Sequence, residues 1–508
     1  MNILKQLISE IKKGRIKTRK QLQKRKIELA RIYKTNKWPK NTELFELIGK
    51  NKEKFRKLLQ LKPTRTISGV AVIAVMSKPS PCPHGKCTYC PHVDNVPESY
   101  TGKEPAARRG IANKFDPYKQ VQNRLEQLYL TGHLPEKVEL IIMGGTFPSL
   151  NEKYQENFVR DCLLAMNEFS LKKKPRKEIT LEQVQKANET AKVRCIGITF
   201  ETRPDYATEK HANLMLKFGG TRVELGVQTV YDEIYKKVNR GHTVADVITS
   251  TRTLKDRGFK ILYHIMLGLP GSSPEKDIAA FREVFSNPDF MPDMLKIYPC
   301  LVIKGSELYK DWKAGKYTPY DEKTAVYIIR ELKKYCPEWV RIMRIERDIP
   351  GTEIEAGIKS TNLRQLIGNA GCQCIRCREV GHRMFNKIML DEKSVHMEKI
   401  EYNASGGKEV FLQFVDKNKT LLGFLRLRLN KTDTAIVREL HVYGEQIPIG
   451  KKGIVQHKGY GKLLLNEAEK IAKQAGKKKV SVISGIGVRE YYKKLGYKRD
   501  GPYMSISM

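Results

Sequence analysis

Nowhere in the 508-residue chain is there a run of about eighteen apolar residues, which excludes a transmembrane helix. The opening stretch, MNILKQLISEIKKGRIK, lacks a long apolar core and a small-residue cleavage site, so no export signal is read there and the cytoplasm is the expected location, with no membrane partner. Cysteines are too sparse, at 10 in 508, for a disulfide framework; in a reducing compartment, those that cluster are expected to hold metal or carry redox chemistry. Acidic residues are short as well. Against 56 Asp and Glu stand 94 Lys and Arg, a formal charge of +38.

The basic excess is uneven. Residues 1–65 hold 21 Lys and Arg against 5 Asp and Glu. The stretch KKGRIKTRKQLQKRK (12–26) contains no Trp or Phe to anchor a helix at a membrane surface. A dense basic segment suits a polyphosphate, because each neutralised phosphate releases counterions, so residues 1–67 are read as a nucleic-acid-binding arm. The plainer reading is a solvated helical surface.

Apolar content of 40% is enough for several cores, and the length suits two to four domains. Short β-branched runs recur from residue 68 on: GVAVIAVM (69–76), KVELIIMGG (137–145), VRCIGITFET (193–202), TRVELGVQT (221–229), FKILYHIMLGLP (259–270) and MLKIYPCLVI (294–303). Helix-periodic segments such as 117–130 and 273–285 separate them. Alternating strands and helices mean βαβ units and a parallel sheet; six units predict a complete or partial barrel over 68–335, with its chemistry in loops at the carboxyl ends of the strands. Residues 336–395 have weak periodicity and read as a linker subdomain. From 396 to 508 the pattern is a strand meander (409–416, 421–430, 434–444), a helix (459–475), a strand (479–485), a helix (487–496) and a last strand. The expected fold is thus α/β followed by α+β.

The loop after the first strand reads CPHGKCTYC. Cys82, Cys87 and Cys90, spaced C-x4-C-x2-C, suit three irons of a [4Fe–4S] cluster. On spacing alone a structural zinc completed by His84 or His92, or no metal at all, is equally admissible. In context, a cysteine loop after strand one with a glycine pair ending strand two resembles the radical S-adenosylmethionine superfamily, although its commonest spacing is C-x3-C-x2-C. That resemblance implies a cluster whose open iron chelates S-adenosylmethionine and, on reduction, releases a 5′-deoxyadenosyl radical. Gly144, Gly145 and Thr146 match the motif that contacts the cofactor.

The C-terminal order of strand, QHKGYG (456–461), helix, strand and YYKKLGY resembles the GNAT acetyltransferases. A glycine loop at a helix N-terminus cradles a pyrophosphate. The resemblance implies acetyl-coenzyme A, with Glu439, Leu440, His441 and Val442 along its pantetheine arm and Gln456, Gly459, Tyr460, Gly461 and Lys462 at the pyrophosphate. Tyr491 or, preferentially, Tyr492 would sit near the sulfur, where a phenol can protonate a departing thiolate; core packing is the alternative for that pair.

Together with SYTGKEPAARR (99–109), GITFETRPD (197–205), NRGHT (239–243), LKIYPCLVIKG (295–305), RIERDIPG (344–351) and VRELHVYG (437–444), the two halves closely resemble the family of the catalytic third subunit of Elongator over nearly the whole chain. The resemblance implies a tRNA-modifying acyltransferase that forms 5-carboxymethyluridine at the wobble position: the radical takes a hydrogen from the acetyl methyl, the carbon radical adds to C5 of uracil, and the thioester is hydrolysed. It points to Lys137 as a further coenzyme contact, to a zinc between the domains, and to tRNA as partner, with a second copy or other subunits possible. For the zinc, CQCIRC supplies Cys372, Cys374 and Cys377, and His382 is the candidate fourth ligand. Cys162, Cys195, Cys300 and Cys336 read as buried core thiols. A protein lysine acetyltransferase with a structural iron–sulfur barrel is the rival enzyme, and a tRNA-binding scaffold the non-enzymatic one.

Overall fold

The computed structural model describes residues 3–36, 38–49, 52–169, 178–360, 362–444 and 459–508. Seven strands form an open, wholly parallel sheet: β1 (Ala71–Met76), β2 (Lys137–Met143), β3 (Arg194–Thr202), β4 (Gly220–Gln228), β5 (Lys260–Leu267), β6 (Met294–Pro299) and, beyond a short ribbon of β7 (Val302–Ile303) with β9 (Ile354–Ala356), β8 (Arg341–Arg344). The sheet curls into a half-barrel. Helices cover its outside, so strands such as β4 are buried along their whole length, which is why they read as continuous apolar runs. The intervening helices start where their caps dictate: Asp116 accepts from the Lys119 N–H before Pro117–Leu130, and Ser273 accepts from the Lys276 N–H before Pro274–Ser286.

The six expected strands are all present. The seventh, β8, pairs with β6 from inside the segment read as a linker. That segment belongs to both neighbours: Leu363, Ile367, Cys372 and Cys374 join the barrel core, while Ile375 and Val380 join the C-terminal core. The N-terminal region is not an extended arm. Its helices Ile3–Lys12, Arg19–Ile32, Asn41–Leu47 and Lys52–Leu59 enclose a small core of Leu7, Ile11, Leu22, Leu29, Leu44 and Phe45. This bundle is tied to the barrel by the Leu61 N–H donating to Thr131 O (2.9 Å) and by Arg56 Nη1 donating to His133 O (3.2 Å).

The C-terminal sheet runs β10 (His396–Ala404), β11 (Gly407–Val415), β12 (Leu421–Leu429), β13 (Thr434–Val442), β14 (Lys479–Val482), then β16 (Tyr503–Ser507) and at the edge β15 (Lys498–Asp500). All neighbours are antiparallel except β13 and β14, which the helix Tyr460–Gln474 connects in parallel. Register slips between Arg426 and Leu427 opposite β13, leaving Arg438 as an extra, bulged residue. Pairing of β13 with β14 ends at Val437, so β13 diverges from its neighbour from the bulge onward.

The bulge aims Arg438 out of its own sheet and into the barrel. It bonds Asp293 at the start of β6 (Nη1 2.8 Å, Nη2 2.5 Å), the Phe259 carbonyl (2.6 Å) and Glu409 (3.0 Å). Arg428 joins Glu409 (2.9 Å) to Asp256 (2.6 Å), and Arg426 lies 3.6 Å from Asp293. Arg438, Asp293 and Glu409 are buried. Burial alone would raise both carboxyls, but the facing cations override it: Arg438, Lys255 and Arg426 hold Asp293 far below the usual range, and Arg438, Lys255 and Arg428 lower Glu409. A second contact is steric. A Cβ on Gly485 would stand 2.0 Å from Ile196 O, so only glycine permits that approach of the loop after β14 to β3.

Arg438→Ala is expected to cost about 3–5 kcal/mol at pH 7 because it leaves two buried carboxylates short of their cation. Since both carboxyls are depressed in the folded state, their stabilisation is present above about pH 4 and is lost as the pH falls. Urea unfolding of parent and variant should therefore differ most near neutrality and converge in acid.

Candidate active site

At the carboxyl ends of the strands a cavity is lined by Cys82, Gly145, Thr146, Glu201, Gln228 and Tyr298 among others. The cysteine loop over it is clamped by the NRGHT loop: the Thr88 N–H donates to Val238 O (3.1 Å) and Asn239 Nδ2 to Lys86 O (2.8 Å). Arg240, buried, reaches Cys87 Sγ (3.6 Å) and Gly226 O (2.6 Å). Hydrogen bonds from Cys90 and His84, with the Arg240 charge, hold the Cys87 thiol down to about 3. His84 Nε2 lies 3.2 Å from Cys87 Sγ, whereas His92 is turned to Glu98 and Asp94. Three thiols on one loop, one of them held as a thiolate beside a buried arginine, fit the ligand set of a cluster.

The glycine pair ending β2 serves the same cavity. Gly144 (φ 131°) presses on Ser77, where a Cβ would come 2.1 Å from Oγ, and a Cβ on Gly145 would lie 3.9 Å from Cys82 Sγ. Thr146 Oγ1 and Gln228 Oε1 are buried there without a partner. Unpaired buried polar atoms in a cavity wall mark groups awaiting a polar ligand, and this wall fits S-adenosylmethionine.

Deeper in the barrel, Lys296 bonds Glu224 and lies 3.3 Å from Glu201, while His264 Nε2 is 2.9 Å from Glu224 and Tyr100 donates to Glu201 (3.0 Å). Burial opposes charge on Glu224, but the Lys296 ammonium holds it well below the carboxylate range; burial lowers His264, leaving the ring neutral. Glu201, Glu224 and His264 offer atoms close enough to share one ion, but the Lys296 ammonium already supplies the cation there. Sequence reasoning quoted the motifs carrying Arg240, Glu201 and Lys296 without giving those residues roles.

A second cavity, about 540 Å³, opens between the amino ends of the barrel strands and the splayed β13. Glu439, Leu440, His441 and Val442 line it, as do Lys137, Tyr491 and Tyr492. Burial lowers Lys137. Glu439 accepts from Arg426 Nε at 2.9 Å. Beyond Val437, β13 no longer pairs with β14, so among the described residues no strand lies along that edge. Gly459 (φ 88°) precedes the helix beginning at Tyr460 and Gly461, with Lys462 on its first turn. A Cβ on Gly461 would stand 2.9 Å from the Tyr491 hydroxyl. Tyr492 is buried and packs edge-on against Tyr491 and Tyr497 at 5.2 and 5.8 Å. Both phenols are pushed up by burial. Gln456 lies outside the described residues.

The third cluster corrects an expectation. Cys372, Cys374 and Cys377 bring their sulfurs within 4.8 Å of one another, and hydrogen bonds from Cys372 and Cys377 hold Cys374 well below the thiol range. His382 does not join them. It lines the second cavity, its Nε2 lies 3.2 Å from Glu379 Oε1, and burial lowers it to about 4. The helix Val380–Phe385 that carries it turns the ring toward Glu379, which Arg341 also bonds. The nearby fourth sulfur is that of Cys336, in hydrogen-bond reach of Cys372. Nothing in sequence spacing marks a lone thiol so far upstream.

A half-barrel with a three-cysteine loop, joined to a splayed acetyltransferase sheet, makes this a radical S-adenosylmethionine enzyme fused to a GNAT domain. Residues 78–283 match the Radical SAM superfamily, 292–370 the Radical_SAM C-terminal domain, 382–497 the Acetyltransferase (GNAT) family and 1–67 the ELP3 N-terminal domain. The chain is 50% identical, over 99% of its length and 98% of the other's, to a Methanocaldococcus infernus protein named tRNA uridine(34) acetyltransferase. It is 42% identical to Elongator complex protein 3 of Schizosaccharomyces pombe over 94% of this chain and 93% of that one. The solved structure of M. infernus Elp3 with N-terminus deletion (1–46) superposes with a TM-score of 0.77 at 48% identity, covering 87% of this chain and all (100%) of that one. The chain belongs to the family of Elongator complex protein 3 and the tRNA uridine(34) acetyltransferases. Its radical SAM domain implies an iron–sulfur cluster with S-adenosylmethionine, and its GNAT domain implies acetyl-coenzyme A. No helix among the described residues is long and apolar enough to cross a membrane.

Gly461→Ala is expected to weaken acetyl-coenzyme A binding about tenfold without loss of stability, because its methyl would meet the Tyr491 phenol and shield the amide at the helix start. Titration calorimetry with acetyl-coenzyme A, beside a thermal melt, checks this.

Proposed function

We propose that the chain is a tRNA uridine(34) acetyltransferase that builds a carboxymethyl group at C5 of the wobble uridine from acetyl-coenzyme A. The observation that carries this reading is the pairing of two cavities in one half-barrel, one under the cysteine loop and one against the splayed strand, in a chain that shares half its residues with a protein of that name. Cys82, Cys87 and Cys90 would hold a [4Fe–4S] cluster, with Gly144, Gly145 and Thr146 beside S-adenosylmethionine. Bound there, these groups supply a 5′-deoxyadenosyl radical able to take a hydrogen atom from the acetyl methyl.

The chain's own residues hold and shield the reactants. Arg240 offsets thiolate charge beside Cys87. The glycine-opened helix would hold the coenzyme pyrophosphate through its free N–H groups, Lys137 would add a cation to that cavity, and Tyr492 would face the thioester as a proton donor to the leaving thiolate. The basic helical bundle supplies charge for the tRNA backbone. Cys372, Cys374 and Cys377 would supply three ligands to a zinc, with Cys336, in hydrogen-bond reach of Cys372, turning in as the fourth; all four lie in the segment that the two cores share. The relatives named for Elongator suggest that further subunits join some members of the family, and this chain is read as competent to take such partners.

Two outcomes are expected. Cys87→Ala should lose reductive cleavage of S-adenosylmethionine yet bind acetyl-coenzyme A, and Tyr492→Ala should do the reverse in thioester turnover. Both should abolish carboxymethyluridine in digested tRNA as read by mass spectrometry, non-additively because each step needs the other. A Cys87→Ala protein that acetylates a lysine at the parent rate, with unchanged tRNA nucleosides in a deletion strain, would sink the reading. Separately, Cys336→Ser should lower zinc retained after dialysis against a weak chelator by about tenfold or more, and His382→Ala should leave it unchanged, both measured by metal analysis.

A further inference from the structure

The two cavities lie at opposite ends of one lumen, and very little separates them. Along β4, Arg222 lines the coenzyme cavity and the next residue on the same face, Glu224, lines the radical cavity. Along β6 the same division falls between Met294 and Lys296. Residues two apart on a strand are about 7 Å apart, so the partition is one layer of side chains.

That layer is poorly satisfied. Arg222 Nη1 contacts Glu139 Oε1 at 2.5 Å and Met294 Sδ at 3.9 Å, and its Nη2 stands 3.4 Å from Glu224 Oε1. Arg222 Nε and Nη2 and Glu224 Oε1 are buried without a hydrogen-bond partner. A buried guanidinium is normally bonded through most of its five donors. Here it leans on one carboxylate from each side and fills the gap between the cavities.

Resting on the function proposed above, we propose that the lumen between β2, β4 and β6 is the passage by which the acyl end of the coenzyme moves from the amino-end cavity into the carboxyl-end cavity, with Arg222 as the positioning residue that closes it at rest. The acyl group then crosses inside the barrel, shielded from water, while the pyrophosphate stays at the glycine loop. Glu139 and Glu224 give the guanidinium an anchor on either side of the opening.

Bromoacetyl-coenzyme A is the probe, used on anaerobic, cluster-loaded protein without reductant, so that no radical chemistry takes part. An acyl end that crosses the layer meets His264, whose neutral ring keeps a lone pair on Nδ1 when Nε2–H donates to Glu224. Nδ1 displaces bromide; the N–C bond forms as the C–Br bond breaks, and the proton on Nε2 passes to Glu224 or solvent. Peptide mass spectrometry should find His264 alkylated, and excess acetyl-coenzyme A should suppress it. Met294→Trp, which crowds the layer, should cut labelling about tenfold or more, Met294→Phe should cut it less, and Met294→Ala should not cut it, each compared at equal occupancy by the probe as set from its own titration. If Met294→Trp does not fold, the Phe and Ala variants carry the comparison. An unmodified His264 in protein that binds the probe, or equal labelling in parent and folded Met294→Trp and Phe variants, overturns the passage. Labelling that follows the series while a deletion strain keeps normal tRNA nucleosides upholds the passage and rejects the tRNA function instead.

Discussion

Everything in this molecule is oriented by the buried pairing of Arg438 with Asp293 and Glu409. Asp293 also accepts from the Ile261 N–H at 2.8 Å, so one carboxylate fastens the start of β5, the start of β6 and the bulge of β13. A buried ion network of this kind adds little net stability over an apolar contact of equal size. Its directionality is what matters: guanidinium forks donate to carboxylates in a few orientations only. The acetyltransferase sheet therefore meets the barrel with its splayed strand over the amino ends of β1 to β6, and the coenzyme cavity is a product of that docking rather than of either domain.

The charges of the two cavities divide the work. Beneath the cysteine loop the buried cation Arg240 stands against thiolate, and one layer down Lys296 stands against two carboxylates. The second cavity is lined by several cations, among them Lys137 and Lys260, both lowered by burial, beside His441, which burial also lowers and whose ring stacks on Phe424 at 6.2 Å. On the proposed function, one end would handle sulfur ligands and an uncharged radical, the other a polyanionic carrier.

Legibility followed burial. Strands β1 to β6 are visible in the sequence because both their faces are covered, which leaves continuous β-branched runs between helices. β8 is not, since RIMR is short and charged and owes its place to pairing with β6. β10 is buried only at Ala404, so its polar alternation carries no strand signal strong enough to read. In the sites, residues grouped by spacing stay together in space: Cys82 of the cysteine loop and Gly145 of the glycine pair line one cavity, and Glu439 to Val442 of β13 line the other. Cys336 was not, because three-dimensional proximity across the end of the barrel has no trace in one dimension, and His382, close in sequence to CQCIRC, is carried away by a helix that answers to Glu379. The basic segment showed its charge plainly but hid its fold, since its small apolar core is spread over four short helices.

Asp293 and Arg438 are separated by 145 residues, and that interval has a consequence for synthesis. As the chain leaves the ribosome, β5 and β6 are complete long before the arginine that neutralises the carboxylate at their joint exists. Until β12 and β13 emerge, Asp293 has Lys255 of the barrel's own helix as a cation but lacks the Arg438 and Arg426 guanidiniums that complete its pairing. The barrel cannot mature as an independent unit in the order in which it is made; its last locking step waits for the C-terminal sheet, and a ribosome that stops short of β13 leaves a product open at the face where the coenzyme would later sit.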